Sequence, residues 1–129
     1  EEVWHLISHV GYSNAYPSVF GENAGTMLSN AMDIARGGNF TSIPNPYPAS
    51  AWYSYDDATC EYDCMATEYM YWAMTSMLGA QDNRLSEIGH EWKLNTRAKV
   101  QAQDVAIFNL LTSSDYNLPS VLPDGTYKR

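Results

Sequence analysis

Basic residues are scarce in this chain: seven Lys and Arg stand against fifteen Asp and Glu among 129 residues, a formal net charge of −8. Nucleic-acid backbones and anionic membrane surfaces are bound through a basic face, and this composition supplies none. No run of apolar residues is long enough to span a bilayer. Cysteine is limited to Cys60 and Cys64, too few to close a four-ligand zinc site alone, and their C-x-x-x-C spacing is not that of a C-x-x-C redox pair. There is no G-x-S-x-G nucleophile elbow, no Gly-rich phosphate loop and no EF-hand spacing. An initiator Met and a signal peptide are missing ahead of Glu1-Glu2-Val3-Trp4, which reads as the start of a processed product or of a piece of a longer protein.

What the chain does have is apolar and aromatic mass. Its hydrophobic fraction is 45% with 17% charged, enough to bury one core, and its length suits one domain. Val3, Leu6, Ile7 and Val10 recur at helical spacing, which predicts an amphipathic helix over 2–12 with that stripe turned to the core. Ala24, Met27, Leu28, Ala31, Ile34 and Ala35 form a second stripe, closed by Gly37-Gly38 as a C-cap. Pro44, Pro46 and Pro48 forbid a helix through 38–56, leaving a long loop that is either functional or wrapped over the core.

The third helix, about 58–78, is apolar on nearly every side and is therefore central. Glu61, Asp63 and Glu68 within it argue against a membrane span. A fourth helix is predicted over 84–94, with shorter ones near 97–101 and 105–112, the last opened by Asp104 as its N-cap. From Ser113 a tail with Pro119, Pro123 and an Asp124-Gly125 turn should lie extended. The reading is a mainly α protein: a single compact domain of four to six helices with a Pro- and aromatic-rich loop.

Candidate chemistry concentrates in a few residues. His5-Leu6-Ile7-Ser8-His9 sets two of the chain's three histidines four apart, the spacing by which a helix offers two imidazoles to one metal. The plainer alternative is a solvated polar face. Glu68 sits mid-helix between Met65 and Trp72, where a lone carboxylate must be hydrogen-bonded, paired, protonated or metal-bound. Tyr hydroxyls, Arg84 or Arg97 are candidate partners. Cys60, Cys64 and Glu68 share an i, i+4, i+8 line. The cysteines are either a local disulfide, two free thiols or metal ligands, since neighbouring helical turns bring Cα atoms to about 6 Å.

Glu87-Ile88-Gly89-His90 is a single E-x-x-H pair, where a di-iron bundle needs two, and His90 is either a surface residue or a further ligand. Asp56, Asp57, Glu61 and Asp63 fit the favourable end of a helix dipole without any ligand. Asn39-Phe40-Thr41 is an N-glycosylation sequon in a loop. Together with low Lys and abundant Tyr and Trp, it leans toward a secreted, extracellular protein. Trp52, Tyr53 and Tyr55 offer rings for stacking on sugars, or for packing against their own prolines.

The helix with H-L-I-S-H, followed downstream by Glu68-Tyr69-Met70-Tyr71-Trp72, resembles the zincin metallopeptidases. That resemblance implies zinc or a similar divalent metal held by His5 and His9, with Glu68 as third ligand. It departs from the family at Leu6, where the general-base glutamate belongs, and in lacking the preceding β-sheet, so peptidase activity does not follow. AMDIARGG at 31–38, the 55–81 stretch and LPDGTY at 122–127 resemble uncharacterised secreted bacterial proteins, which implies no activity. The expected function is thus a secreted helical domain binding a divalent metal through His5, His9 and Glu68. The alternative is a self-associating extracellular subunit of a filament or coat, since seventeen Phe, Trp and Tyr exceed what a small core needs and aromatic side chains anchor interfaces.

Overall fold

In the computed structural model, which describes residues 1–126, one helix runs through the middle of the molecule and the other elements pack around it. The first helical rod comprises α1 (Glu2–His5), a π-helical segment (Leu6–Tyr12) and α2 (Ser13–Ala15) without a break. There follow α3 (Pro17–Phe20), α4 (Met27–Arg36), the central α5 (Tyr62–Met77), α6 (Leu85–Ile88), α7 (Arg97–Gln103) and α8 (Val105–Thr112). Helix α5 touches α1, the π segment, α4, α7 and α8. No strand forms among the described residues, only an isolated antiparallel bridge between Tyr53 and Trp92. The mainly helical architecture agrees with the periodicity, and the seventh helical segment is the single turn α3, opened by Pro17 at its first position.

Local chemistry accounts for the helix ends. Thr26 caps α4 by accepting from Ser29 N, while the Ser29 hydroxyl oxygen accepts from Thr26 N, a reciprocal capping box. Gly37 ends α4 with φ of 79°, and a side chain there would also press on Pro48 at 3.0 Å. Thr96 and Asp104 cap α7 and α8 by accepting from Lys99 N and Ile107 N. Within α5, Met65, Ala66, Tyr69 to Met74, Ser76 and Met77 are all buried, as a helix apolar on every side requires.

Four expectations are corrected. The Val3, Leu6, Ile7 and Val10 stripe does not face the core: these residues are 72, 63, 41 and 54% exposed. The opposite face goes inward, with Ser8 buried, Trp4 and Tyr12 packed on the core and His5 edge-on to Tyr71. Aromatic area and paired polar groups outweigh four aliphatic side chains there, and the π segment widens the turns so that a strict 3.6-residue stripe no longer describes the face. On α4, Met27 and Ile34 are likewise exposed while Leu28, Ala31 and Ala35 are buried. The third helix begins at Tyr62 rather than near 58, because Asp57 accepts from the Thr59 amide and hydroxyl and closes a separate turn first. The fourth stops at Ile88, because Trp92 leaves the helix to bridge Tyr53 and donates its ring N–H to Ser76 Oγ and the Leu94 carbonyl.

The proline-bearing loop wraps the core. Trp52 N bonds the Ala35 carbonyl, Lys93 N bonds the Trp52 carbonyl and Ser54 N bonds the Glu91 carbonyl. Tyr53 and Tyr55 are buried, Tyr53 donates to the Met65 carbonyl, and Trp52 donates its ring N–H to Asp104. These rings are core side chains rather than a stacking platform. Beyond Ser113 the chain follows the surface as expected, with Tyr116 edge-on to Tyr16 and Phe20; the last part of the tail, 127–129, lies outside the described residues.

Candidate functional site

A cleft of about 550 Å³ opens between the first helical rod, the start of α5 and the 55–60 segment. His5, His9 and Glu68 all line it, together with Glu1, Leu6, Tyr55, Asp57, Thr67 and the cysteine pair. The residues singled out from the sequence therefore share one concavity, although 63 positions separate His5 from Glu68.

Within the cleft the three are not equivalent. His5 Nε2 lies 3.3 Å from Glu68 Oε1, and these two with a Glu1 carboxylate oxygen fall within 4.8 Å of one another. His9 is outside that group: its Nδ1 lies 2.6 Å from Oε2 of Glu22. His5 Nε2 is buried from solvent and makes no well-aligned hydrogen bond. A buried ring nitrogen without a bonded partner is costly, and an ion or a shared proton between it and Glu68 would remove that cost.

Among the described residues Glu68 pairs with no arginine. Burial, and then the carboxylates of Glu1, Glu91 and Glu2, raise its carboxyl from 4.5 to about 7. Near neutrality it therefore divides between acid and carboxylate beside an imidazole, a pair able to exchange a proton or, once both protons leave, to present one nitrogen and one oxygen to a cation. Leu6, exposed at the rim of the cleft, contributes no proton acceptor.

The cysteines lie at disulfide distance with Cα atoms 5.9 Å apart, spanning the entry to α5. Joined, they are spent as thiolate ligands, so the neighbouring donor cluster of Cys60, Asp63 and Cys64 is reduced to one exposed carboxylate. Asn39 is exposed, leaving its sequon accessible. His90 is exposed beside Glu91 at 3.4 Å, and Glu87 pairs with Arg84, so the E-x-x-H pair converges on nothing.

Sequence reasoning missed Glu22 and Thr67. Glu22 is buried and sits in the bend after α3, thirteen residues from the histidine it holds, so no helical spacing links them. Glu1, one turn ahead of His5 on the same helical face, was open to the i, i+4 rule that picked out His9. Comparison of the chain with family models, curated proteins and solved structures returns no match.

Proposed function

We propose that the cleft binds a divalent transition metal such as zinc, with His5 Nε2 and Glu68 as the inner ligand pair and Glu1 as a further oxygen donor. The observation that carries this reading is the buried, unbonded His5 nitrogen 3.3 Å from a carboxylate oxygen. One nitrogen and two oxygens form a donor set that zinc accepts. Metal binding gives Glu68 a reason to sit half-buried among other carboxylates, since a cation repays both its desolvation and their repulsion. The position that the zincin resemblance gives to the general base is Leu6, so the reading is of a bound metal and not of a peptidase. The disulfide and the exposed sequon support a secreted protein in an oxidising compartment. Calorimetric titration of chelator-treated protein with zinc tests it: saturable binding in the wild type and none in His5→Ala or Glu68→Ala is the expected result. Equal binding by all three proteins would place the metal elsewhere.

A second reading is favoured by one observation of its own. The exposed aliphatic stripe Leu6, Ile7 and Val10 borders an apolar groove of about 640 Å³ with Tyr16 and Tyr116, which supports self-association through the outer face of the first helix. Light scattering over a concentration series tests it, with Ile7→Asp expected to hold the chain monomeric. A wild-type monomer throughout would refute it.

A further inference from the structure

A second group of donor atoms converges at the rim of the cleft: Sγ of Cys60, Sγ of Cys64 and a carboxylate oxygen of Asp63 lie within 4.8 Å of one another. Oxidised, the two sulfurs are bonded to each other and hold nothing else. The cysteines do not depend on that bond for their places. Cys60 N bonds the Asp57 carbonyl in a turn that Asp57 and Thr59 close, and Cys64 lies in the first turn of α5, where Met65 and Ala66 are buried. Asp63 Oδ1 accepts from the Cys64 amide at 3.0 Å, which holds the carboxylate beside the sulfurs. With the Cα atoms 5.9 Å apart, side-chain rotation alone can open the sulfurs to the roughly 3.8 Å they take around a tetrahedral zinc.

The bond is also placed to be opened. Both cysteines are half-buried and line the cleft, so a small reagent reaches them. A cross-link constrains the unfolded chain less the shorter the loop it closes, and this one joins residues only four apart. Accessible disulfides of this kind are the ones that exchange with thiols. Asp56, Asp57, Glu61 and Asp63 are exposed around it, a field that draws cations.

We propose that Cys60, Asp63 and Cys64 form a redox-gated site for a thiophilic divalent cation of the zinc class, closed by the disulfide and opened by a low-molecular-weight thiol. The first thiol attacks one sulfur and expels the other as a thiolate, leaving a mixed disulfide; a second thiol displaces the reagent as its own disulfide. The protein gains two electrons and two protons, and both protons leave when the two sulfurs ligate the metal. The site needs neither His5 nor Glu68 and stands apart from the metal reading above.

The test uses cobalt(II) alone as probe, because thiolate ligation gives it a charge-transfer band in the near ultraviolet that nitrogen and oxygen ligands do not. Wild type is reduced with an uncharged dithiol, freed of reagent under argon and titrated beside the oxidised protein, with far-ultraviolet circular dichroism of each. Reduced wild type should remain helical and develop the band to about one cobalt per chain. The band should be absent from the oxidised protein and from Cys60→Ser/Cys64→Ser, retained in His5→Ala, and lost on reoxidation. Should the double variant misfold, reduced wild type alkylated at both thiols takes its place. Disulfide that resists the dithiol until the chain is unfolded, reduced protein that loses its helices, or folded reduced protein without the band overturns the proposal. Unchanged cobalt affinity in Asp63→Ala, or a band lost in His5→Ala, likewise overturns the ligand set.

Discussion

Replacing Glu68 by Gln isolates the energetic cost of the carboxylate in the cleft. In the folded chain the carboxyl is raised from 4.5 to about 7, by burial first and then by Glu1, Glu91 and Glu2. A folded-state value above the unfolded one means that the native state favours the proton. Stability from this group is therefore fully present below about pH 4.5 and is lost as pH rises through about 7. At about 1.36 kcal/mol per pH unit the full shift corresponds to about 3 kcal/mol, and the solvent left to a half-buried group reduces this to about 2 kcal/mol. Gln has nearly the same shape and no titration, so the mutant should gain on the wild type by about 2 kcal/mol between about pH 4.5 and pH 8. Urea unfolding of both proteins in chelator-containing buffer, at several pH values across that window, measures the difference. Two stability profiles that run parallel would show that Glu68 titrates normally and that its neighbourhood imposes no desolvation cost. Zinc should reverse the order: at pH 8 it stabilises the wild type and leaves the mutant unchanged, because a ligand that binds only the native state adds stability by mass action.

Other consequences follow from the packing. Arg36 is fully buried, paired with Asp33 at 2.7 Å, bonded to the Phe40 carbonyl and set against the Tyr62 ring. Arg36→Ala should cost about 3–5 kcal/mol in chemical denaturation, because it strands Asp33 as well as opening a void. Tyr69 donates to Asp104, which also accepts from Trp52 and caps α8, so Tyr69→Phe should cost about 1–3 kcal/mol by the same assay. Reducing the Cys60–Cys64 link, which closes a loop of only four residues' separation, should lower stability by about 2 kcal/mol and leave the helical circular dichroism intact. Ile7→Asp should leave monomer stability within about 0.5 kcal/mol, the opposite of what a core-facing stripe would predict.

The contrast between helices shows which information was local. Helix α5 was legible because its apolar residues surround the axis, so no choice of face could go wrong. Helix α4 was legible at its C-terminal end, where Gly37 has chemistry that a single residue declares, but not at its start, where the stripe counted from Ala24 ran past the Thr26 cap. The first rod was misread because period counting ranks Val3, Leu6, Ile7 and Val10 above a face of Trp4, His5, Ser8 and Tyr12. The buried partners Tyr71, Phe20 and Glu22 that decide the matter lie elsewhere in the chain. The site divides the same way. His5 and His9 announce themselves by spacing, and Glu68 by its apolar surroundings. That His5 takes Glu68 while His9 takes Glu22 depends on how the rod crosses α5, and tertiary packing alone sets that crossing.

The most direct measurement of the central claim is the metal content of protein purified without chelators, by inductively coupled plasma mass spectrometry, beside a His5→Ala/His9→Ala variant. The account predicts about one zinc or similar ion per chain in the wild type and a metal-free variant. A wild type without metal, from a preparation whose far-ultraviolet spectrum is fully helical, would contradict it and return His5, His9 and Glu68 to ordinary polar packing.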